Sequence, residues 1–306
     1  MKLYAYFHKK IVPLEEANIN IMTHAFNYGT ACFEGIRGNW NKEEQQLYLF
    51  RLKEHFERLI GGCRMLKMEL PYTVEDYIKI ALDVIRKSDC HEDVYVRPLA
   101  YKSSQVVGVR LHNLECDYCM FISPFGPYLD LDKGARCCTS KWRRISDTMM
   151  PTQAKACGIY VSSALAKTEA FENGYDEAIL LTNNGFVSDG SGENIFMLRD
   201  GKFATPPLSD DALLGVTRTS VITLLKSELG LEVEERSISR SELYSADEAF
   251  FTGTAAHIVP IVSVDNCQIG TGAVGKTTKK LQNIFFDVVQ GKNKKYLEWC
   301  TPVYAR

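Results

Sequence analysis

The chain has 306 residues, 45% hydrophobic and 24% charged, with 36 Lys and Arg against 38 Asp and Glu for a net charge of −2. At roughly 150 residues per domain this suggests two ordinary globular domains, and the balanced charge excludes a dominant attraction to nucleic acid or anionic membrane. No run reaches the ~18 apolar residues of a spanning helix, and the opening residues lack a signal peptide's apolar core, so a cytoplasmic protein is expected.

In chain order, 47–50 predicts a strand, and 53–65 a helix with Phe56, Leu59 and Ile60 at helical spacing. The same pattern recurs over 74–87 through Tyr77, Ile78, Ala81, Val84 and Ile85, and 94–101 and 118–122 read as strands. Ser123-Pro124-Phe125-Gly126-Pro127 interrupts both helix and sheet. It divides the expected organisation into a domain over 1–124, a linker over 125–134 and a domain over 135–306. Beyond it, 163–173 is expected to be a helix closed by Gly174, and 178–181, the Asn183-Asn184-Gly185 turn and the residues from Phe186 form a hairpin. The meander continues through 194–198 and 202–205, followed by a helix over 217–229 closed by Gly230, a strand over 249–251 and a helix over 279–289. Strands and helices are segregated rather than strictly alternating, which predicts α+β halves within an α-β class.

Ten cysteines are too sparse for a disulfide scaffold. Cys116 and Cys119 form a C-x-x-C, but Cys119 lies in a predicted strand and no second pair stands at ligand spacing, so structural thiols and no metal site are expected.

Several segments could carry chemistry. Residues 270–277 match the formal phosphate-loop pattern G-x4-G-K-T, but the chain beyond Thr277 offers one helix and a polar tail rather than parallel strands, so a turn is expected. Leu213-Leu214-Gly215-Val216-Thr217-Arg218 opens an amphipathic helix whose amides and positive dipole end suit a phosphate. Gly253-Thr254-Ala255-Ala256 is a similar small-residue loop after a strand, and two such loops favour a phosphorylated ligand. Lys155 is flanked by Ala154 and Ala156; a lysine in such a pocket would have a lowered pKa and act as a nucleophile, whereas the same residues also suit a loop lysine reaching solvent. Ser188-Asp189-Gly190-Ser191-Gly192-Glu193-Asn194 is a turn bearing two carboxylates.

Together these segments resemble the branched-chain amino acid aminotransferases, class IV (fold type IV) pyridoxal-phosphate enzymes, over about 3–299. The most specific matches are His24-Ala25-Phe26-Asn27-Tyr28-Gly29-Thr30, Phe33-Glu34-Gly35-Ile36-Arg37, Tyr95-Val96-Arg97-Pro98-Leu99, Ala154-Lys155-Ala156, Gly190-Ser191-Gly192-Glu193-Asn194 and Gly253-Thr254-Ala255-Ala256. The resemblance implies a two-domain fold with pyridoxal 5'-phosphate between the domains, Lys155 as the Schiff-base lysine and Arg58 on the cofactor phosphate. It further implies phosphate contacts from Val216, Thr217 and Thr254, Tyr160 on the pyridine 3-oxygen, and Asp189 under the pyridine nitrogen. Tyr28, Phe33, Tyr95, Arg97, Tyr128, Thr254, Ala255 and Ala256 match the substrate pocket.

The implied reaction is transamination of L-leucine, L-isoleucine and L-valine with 2-oxoglutarate by a homodimer or higher homo-oligomer. Another class IV enzyme (a D-amino-acid or amine transaminase, or an aminodeoxychorismate lyase) is the alternative, and the Tyr95-x-Arg97 pair favours the branched-chain group. Three positions depart from the family pattern: Asp189 for the usual glutamate, Leu214 for the proline before Gly215, and His257 where an acid is common, expected here at the surface.

Overall fold

The computed structural model describes residues 2–126 and 129–304. The chain divides into two compact units: Met1–Gly126 with Ala154–Gly158 and Asp287–Arg306, and Pro127–Gln153 with Ile159–Phe286. The division is not contiguous, because the short segment carrying Lys155 and the C-terminal residues group with the first unit.

The first unit contains β1 (Tyr4–Phe7), β2 (Lys10–Pro13), α1 (His24–Tyr28), β3 (Ala31–Phe33), β4 (Ile36–Asn41), β5 (Gln46–Phe50), α2 (Leu52–Met65), α3 (Val74–Ser88), β6 (Val94–Lys102) and β7 (Cys116–Pro124). Its sheet is antiparallel, in the order Cys300–Pro302, β5, β4, β6, β7, β1, β2, with β3 also paired to β6. Helix α2 buries Phe56 and Leu59, each contributing about 1.5–3 kcal/mol on burial. The Phe56 ring stacks on Tyr77 of α3 at 5.2 Å. A capping box at Thr73 and Asp76 starts α3, satisfying amides that have no partner within the helix. That packing fixes which face of α2 is left for the site: the one bearing His55, Arg58 and Gly62, at helical spacing.

The second unit contains β8 (Ala135–Arg143), α4 (Tyr160–Glu172), β9 (Glu177–Leu181), β10 (Val187–Gly190), β11 (Asn194–Arg199), β12 (Lys202–Thr205), α5 (Val216–Leu229), β13 (Val233–Glu235), α6 (Arg240–Leu243), β14 (Glu248–Gly253), β15 (His257–Val264), β16 (Cys267–Gln268) and most of α7 (Lys276–Val289), whose residues from Asp287 group with the first unit. The strand order is β10, β9, β8, β15, β14, β11, β12, β13. Because β10 also pairs with β11, the first six close on themselves as a barrel-like sheet. The closing pair is Asp189 with Asn194, so the acid-bearing turn sits at the seam. Apolar residues of β9, β11, β14 and β15, including Ile179, Ile195, Phe251 and Val259, fill the interior.

The meander and most helices lie within a few residues of their predicted positions. Helix α4 begins at Tyr160 instead of residue 163. Strand β7 runs to Pro124, into the expected break. The phosphate-loop match is a turn opening α7, whose first amides are already taken. Glu248 accepts from the Thr277 and Thr278 amides at 3.0 and 2.8 Å, and a Cβ on Gly275 would overlap that carboxylate. His257 departs from its expected surface position. It is buried with φ +58°, its ring edge-on to Phe285 and Phe286 of α7 at 5.8 and 5.1 Å. Among the described residues no cysteine is in a disulfide. Cys116 and Cys119, three apart on β7, face opposite sides of the sheet, and burial pushes the Cys119 thiol up to about 12. No helix among the described residues is long and apolar enough to cross a membrane.

Candidate active site

In the first unit the strap Ala154–Gly158 lies across the end of β3. Phe33 N–H donates to the Lys155 carbonyl at 3.3 Å, and Ala156 forms a bridge with Cys32. These bonds hold Lys155 at φ +42°, a left-handed conformation costly for a side chain with a Cβ. Its ammonium stands 5.1 Å from the Phe33 ring centroid, and the Arg97 guanidinium lies 4.4 Å from the same ring. Arg97 also donates to the Tyr95 hydroxyl at 3.0 Å, while its Nε is buried without a hydrogen-bond partner among the described residues. An orphaned guanidinium N–H is costly unless an acceptor arrives, which suits an anionic substrate group.

The other face of the strap rests on α2. A Cβ on Gly62 would stand 2.6 Å from the Ala154 carbonyl, so only glycine permits this approach. One turn earlier, Arg58 meets Glu34, the residue after Phe33. Nε and Nη2 donate to its two carboxylate oxygens at 2.7 Å each, and His55 Nδ1 stands 2.7 Å from Oε2. Burial alone would raise the Glu34 carboxyl, but the Arg58 charge and the two hydrogen bonds outweigh it and hold it well below the usual carboxylate range. Burial also lowers the His55 imidazole, leaving it neutral, with Nδ1 as the donor to the carboxylate. Tyr28 stands on α1, its hydroxyl accepting from Gly108 N–H at 3.0 Å and its ring against buried His24 at 4.6 Å.

In the second unit, Tyr160, Asp189, Arg144, Glu193, Asn194 and Leu213 line a cavity of about 20 Å³. Asp189 accepts from Asn194 Nδ2 at 2.8 Å and Leu213 N–H at 3.1 Å, and pairs with Arg144 at 3.5 Å. Burial raises its carboxyl, and these three partners offset only part of that shift. Glu193 is raised to about 8, first by burial and then by the nearby charge of Glu177, with Asp189 adding to it, while the Gly192 amide hydrogen bond and the Lys167 charge pull the other way. Asn194 links two segments, since its Nδ2 also donates to the Leu213 carbonyl at 2.8 Å. From there Gly215 leads into α5, where Val216 and Thr217 are buried and no described side chain caps the N-terminus. Such a helix start suits a phosphate. Thr254, Ala255 and Ala256 form the turn between β14 and β15, beside the Gly253–His257 pair. Tyr128 lies outside the described residues.

Glu34 and Asn194 stand inside sequence motifs that assign them no role, and no motif points to His55 or Arg144. The i, i+3 spacing of His55 and Arg58 was a usable signal for the first. Arg144 had none.

In the first unit a lysine in a forced backbone stands with a buried arginine fork, and in the second an uncapped helix start stands with a buried acid turn; each pair is of the donor chemistry that suits pyridoxal phosphate. The profile of the family "Amino-transferase class IV" matches residues 31–264, and the chain belongs to it. It is 52% identical to a probable branched-chain-amino-acid aminotransferase of Aquifex aeolicus, over 99% of this chain and 97% of that protein. Among solved structures, the branched-chain aminotransferase of Thermoproteus uzoniensis with norvaline superposes with a TM-score of 0.95 at 42% identity, covering 99% of this chain and all of that one. The PLP-form (holo-form) of the Thermobaculum terrenum branched-chain amino acid aminotransferase matches with a TM-score of 0.95 at 38% identity, over 99% of both chains.

Proposed function

We propose that this chain transfers the amino group of L-leucine, L-isoleucine and L-valine to 2-oxoglutarate, giving branched-chain 2-oxo acids and L-glutamate, with pyridoxal 5'-phosphate as cofactor. The observation that carries the reading is Lys155, pinned through its own carbonyl in a left-handed backbone beside Phe33, whose chain neighbour Glu34 grips Arg58. A conformation this costly persists where the surroundings over-determine it, and those surroundings here are chemical groups.

The first unit supplies Lys155 for the covalent link and Arg58 for the phosphate. The second supplies the Val216 and Thr217 amides and Thr254 for the phosphate, Tyr160 for the ring oxygen and Asp189 for the ring nitrogen. When bound, the cofactor supplies the electron sink for the carbanion at the substrate α-carbon. Lys155 Nζ acts as general base and acid, removing the α-proton from the substrate and delivering it to the cofactor's carbon rather than back to the α-carbon. Asp189, held by Asn194, Leu213 and Arg144, keeps the ring nitrogen protonated. Tyr28, Phe33, Tyr95, Tyr128, Ala255 and Ala256 accept the branched side chain. Arg97 offers its unspent donor to the second carboxylate of 2-oxoglutarate.

A homodimer or larger homo-oligomer in the cytoplasm fits two further features. Exposed Ile21, Met22 and Phe26 stand on a segment bonded to the loop carrying exposed Val107 and Val109, through His24 N–H to the Ser104 carbonyl. No cysteine among the described residues is disulfide-bonded, as a reducing compartment requires. The test is the absorption spectrum of the purified protein. L-leucine should bleach the band of lysine-linked cofactor and 2-oxoglutarate should restore it. Bleaching by D-alanine with no response to L-leucine overturns the substrate reading.

A further inference from the structure

The geometry points to Glu34 as the positioning residue of the phosphate anchor, acting through Arg58 and itself oriented by His55; this rests on the reading of Arg58 as a phosphate ligand. Glu34 is wholly buried, and its carboxylate takes both Arg58 bonds and the His55 bond at 2.7 Å. Its own N–H donates to the Pro98 carbonyl at 3.0 Å, so backbone and side chain are both anchored. A bidentate pair leaves a guanidinium almost no freedom of direction. His55 and Arg58 stand three residues apart on α2, so one carboxylate holds both side chains.

With His55 neutral, the Glu34–Arg58 pair carries no net charge. What Arg58 offers a phosphate is therefore the direction of its donors rather than an excess of positive charge. Direction is worth most when the other end of the ligand is also fixed, and Glu34 supplies that registration. Phe33 N–H holds the Lys155 carbonyl, and the next residue holds Arg58. The covalent anchor and the phosphate anchor are thus set by consecutive residues.

This gives Glu34→Gln an unusual expectation. The variant adds net positive charge near the phosphate, so a purely electrostatic site would bind pyridoxal 5'-phosphate more tightly. Positioning predicts weaker binding, by about tenfold to a hundredfold, the scale of one charge-assisted grip. Binding of pyridoxal, which lacks the phosphate, should stay within about twofold of the native value. Loss of fold or of packing would weaken both ligands alike.

The experiment titrates the full-length chain, freed of cofactor, with pyridoxal 5'-phosphate and with pyridoxal, for the native protein, Glu34→Gln, Arg58→Lys and the double variant. Glu34→Asp is included because it keeps the buried arginine neutralised, and with it the fold, while shortening the carboxylate beyond the reach of both nitrogens. We expect Arg58→Lys and Glu34→Gln each to lower the preference for the phosphorylated ligand, the double variant to lose no more than the worse single one, and Glu34→Asp to lose less in the same direction. If Arg58→Lys loses that preference while both Glu34 variants keep it, or Glu34→Gln binds the phosphorylated ligand more tightly, the positioning role is wrong and the Arg58 reading stands. If Arg58→Lys keeps the preference, the Arg58 reading fails and this inference fails with it.

Discussion

Glu34 in the first unit and Asp189 and Glu193 in the second are all buried carboxyls, yet they titrate in opposite directions. Desolvation is the largest influence on each and raises all three. Around Glu34 an arginine fork at 2.7 Å and an imidazole outweigh it. At Asp189 the arginine stands at 3.5 Å and the remaining partners are neutral. At Glu193 the largest influence after burial is the charge of another acid, Glu177, whose own partners are Lys167 at 2.6 Å and the Ala178 amide at 2.8 Å. Burial sets the starting direction and partner geometry decides the outcome. The first cluster behaves as a rigid charged anchor; the second holds acids whose protonation can respond to what binds beside them.

The largest expected effect is at Lys155. Lys155→Ala should abolish transamination and remove the absorbance of lysine-linked cofactor while the circular dichroism spectrum stays native; retained turnover would end the assignment. Next is the choice between the two acids of the seam. Asp189→Asn keeps the size but removes the charge, and should slow α-proton removal from L-leucine by roughly tenfold to a thousandfold in single-turnover measurements. Asp189→Glu should be far milder. Glu193→Gln should leave that step nearly unchanged, because a carboxyl titrating near 8 is already neutral at pH 7. If Glu193→Gln alone loses the step, the two roles are exchanged.

The same contrast has a stability consequence. Glu193 holds its proton in the folded protein up to about 8, whereas the unfolded chain releases it near 4.5. Between those values the folded state binds more protons, so this group makes stability fall as pH rises through the window. Glu34 works oppositely: its depressed carboxyl adds stability above the unfolded value, and that is lost as the pH falls below it. Melting temperatures of Glu193→Gln should therefore gain on the native protein from pH 5 to pH 8, and a parallel pair of curves would contradict the neutral acid.

The smallest effect concerns a third kind of carboxylate, Glu248, whose partners are the opening amides of α7 and the Thr278 hydroxyl at 2.7 Å. Glu248→Ala should cost about 1 kcal/mol, typical of a lost helix cap, with turnover unchanged. A thermal melt and a leucine assay would check this. A gain of nucleotide affinity in the native protein would instead revive the phosphate-loop reading of 270–277.

Much of the architecture was readable along the chain. The strand at Gln46–Phe50, helices α2, α3 and α5, and the meander from Glu177 to Thr205 arise from apolar spacing and from turns such as Asn183-Asn184-Gly185. The site was readable as a set of motifs, with Lys155 between two alanines and the Asp189 turn among them. What the motifs did not carry was who meets whom. The Glu34–Arg58 pair joins residues 24 apart, and the Glu248 cap joins residues 29 apart.

Periodicity and turn chemistry depend on the local backbone, so the amino-acid sequence alone determined where most strands and helices form and which lysine stands among small residues. Ion-pair geometry depends instead on strand order and register. Only the tertiary structure decided that the Lys155 strap groups with the first unit, and that β10 closes onto β11 with Asp189 opposite Asn194. It also put His257 under Phe285 and Phe286 instead of in water. The three buried carboxyls diverge for the same reason: a charge's energy depends on partners a few ångströms away, and pairing across the fold, rather than position in the chain, sets those distances.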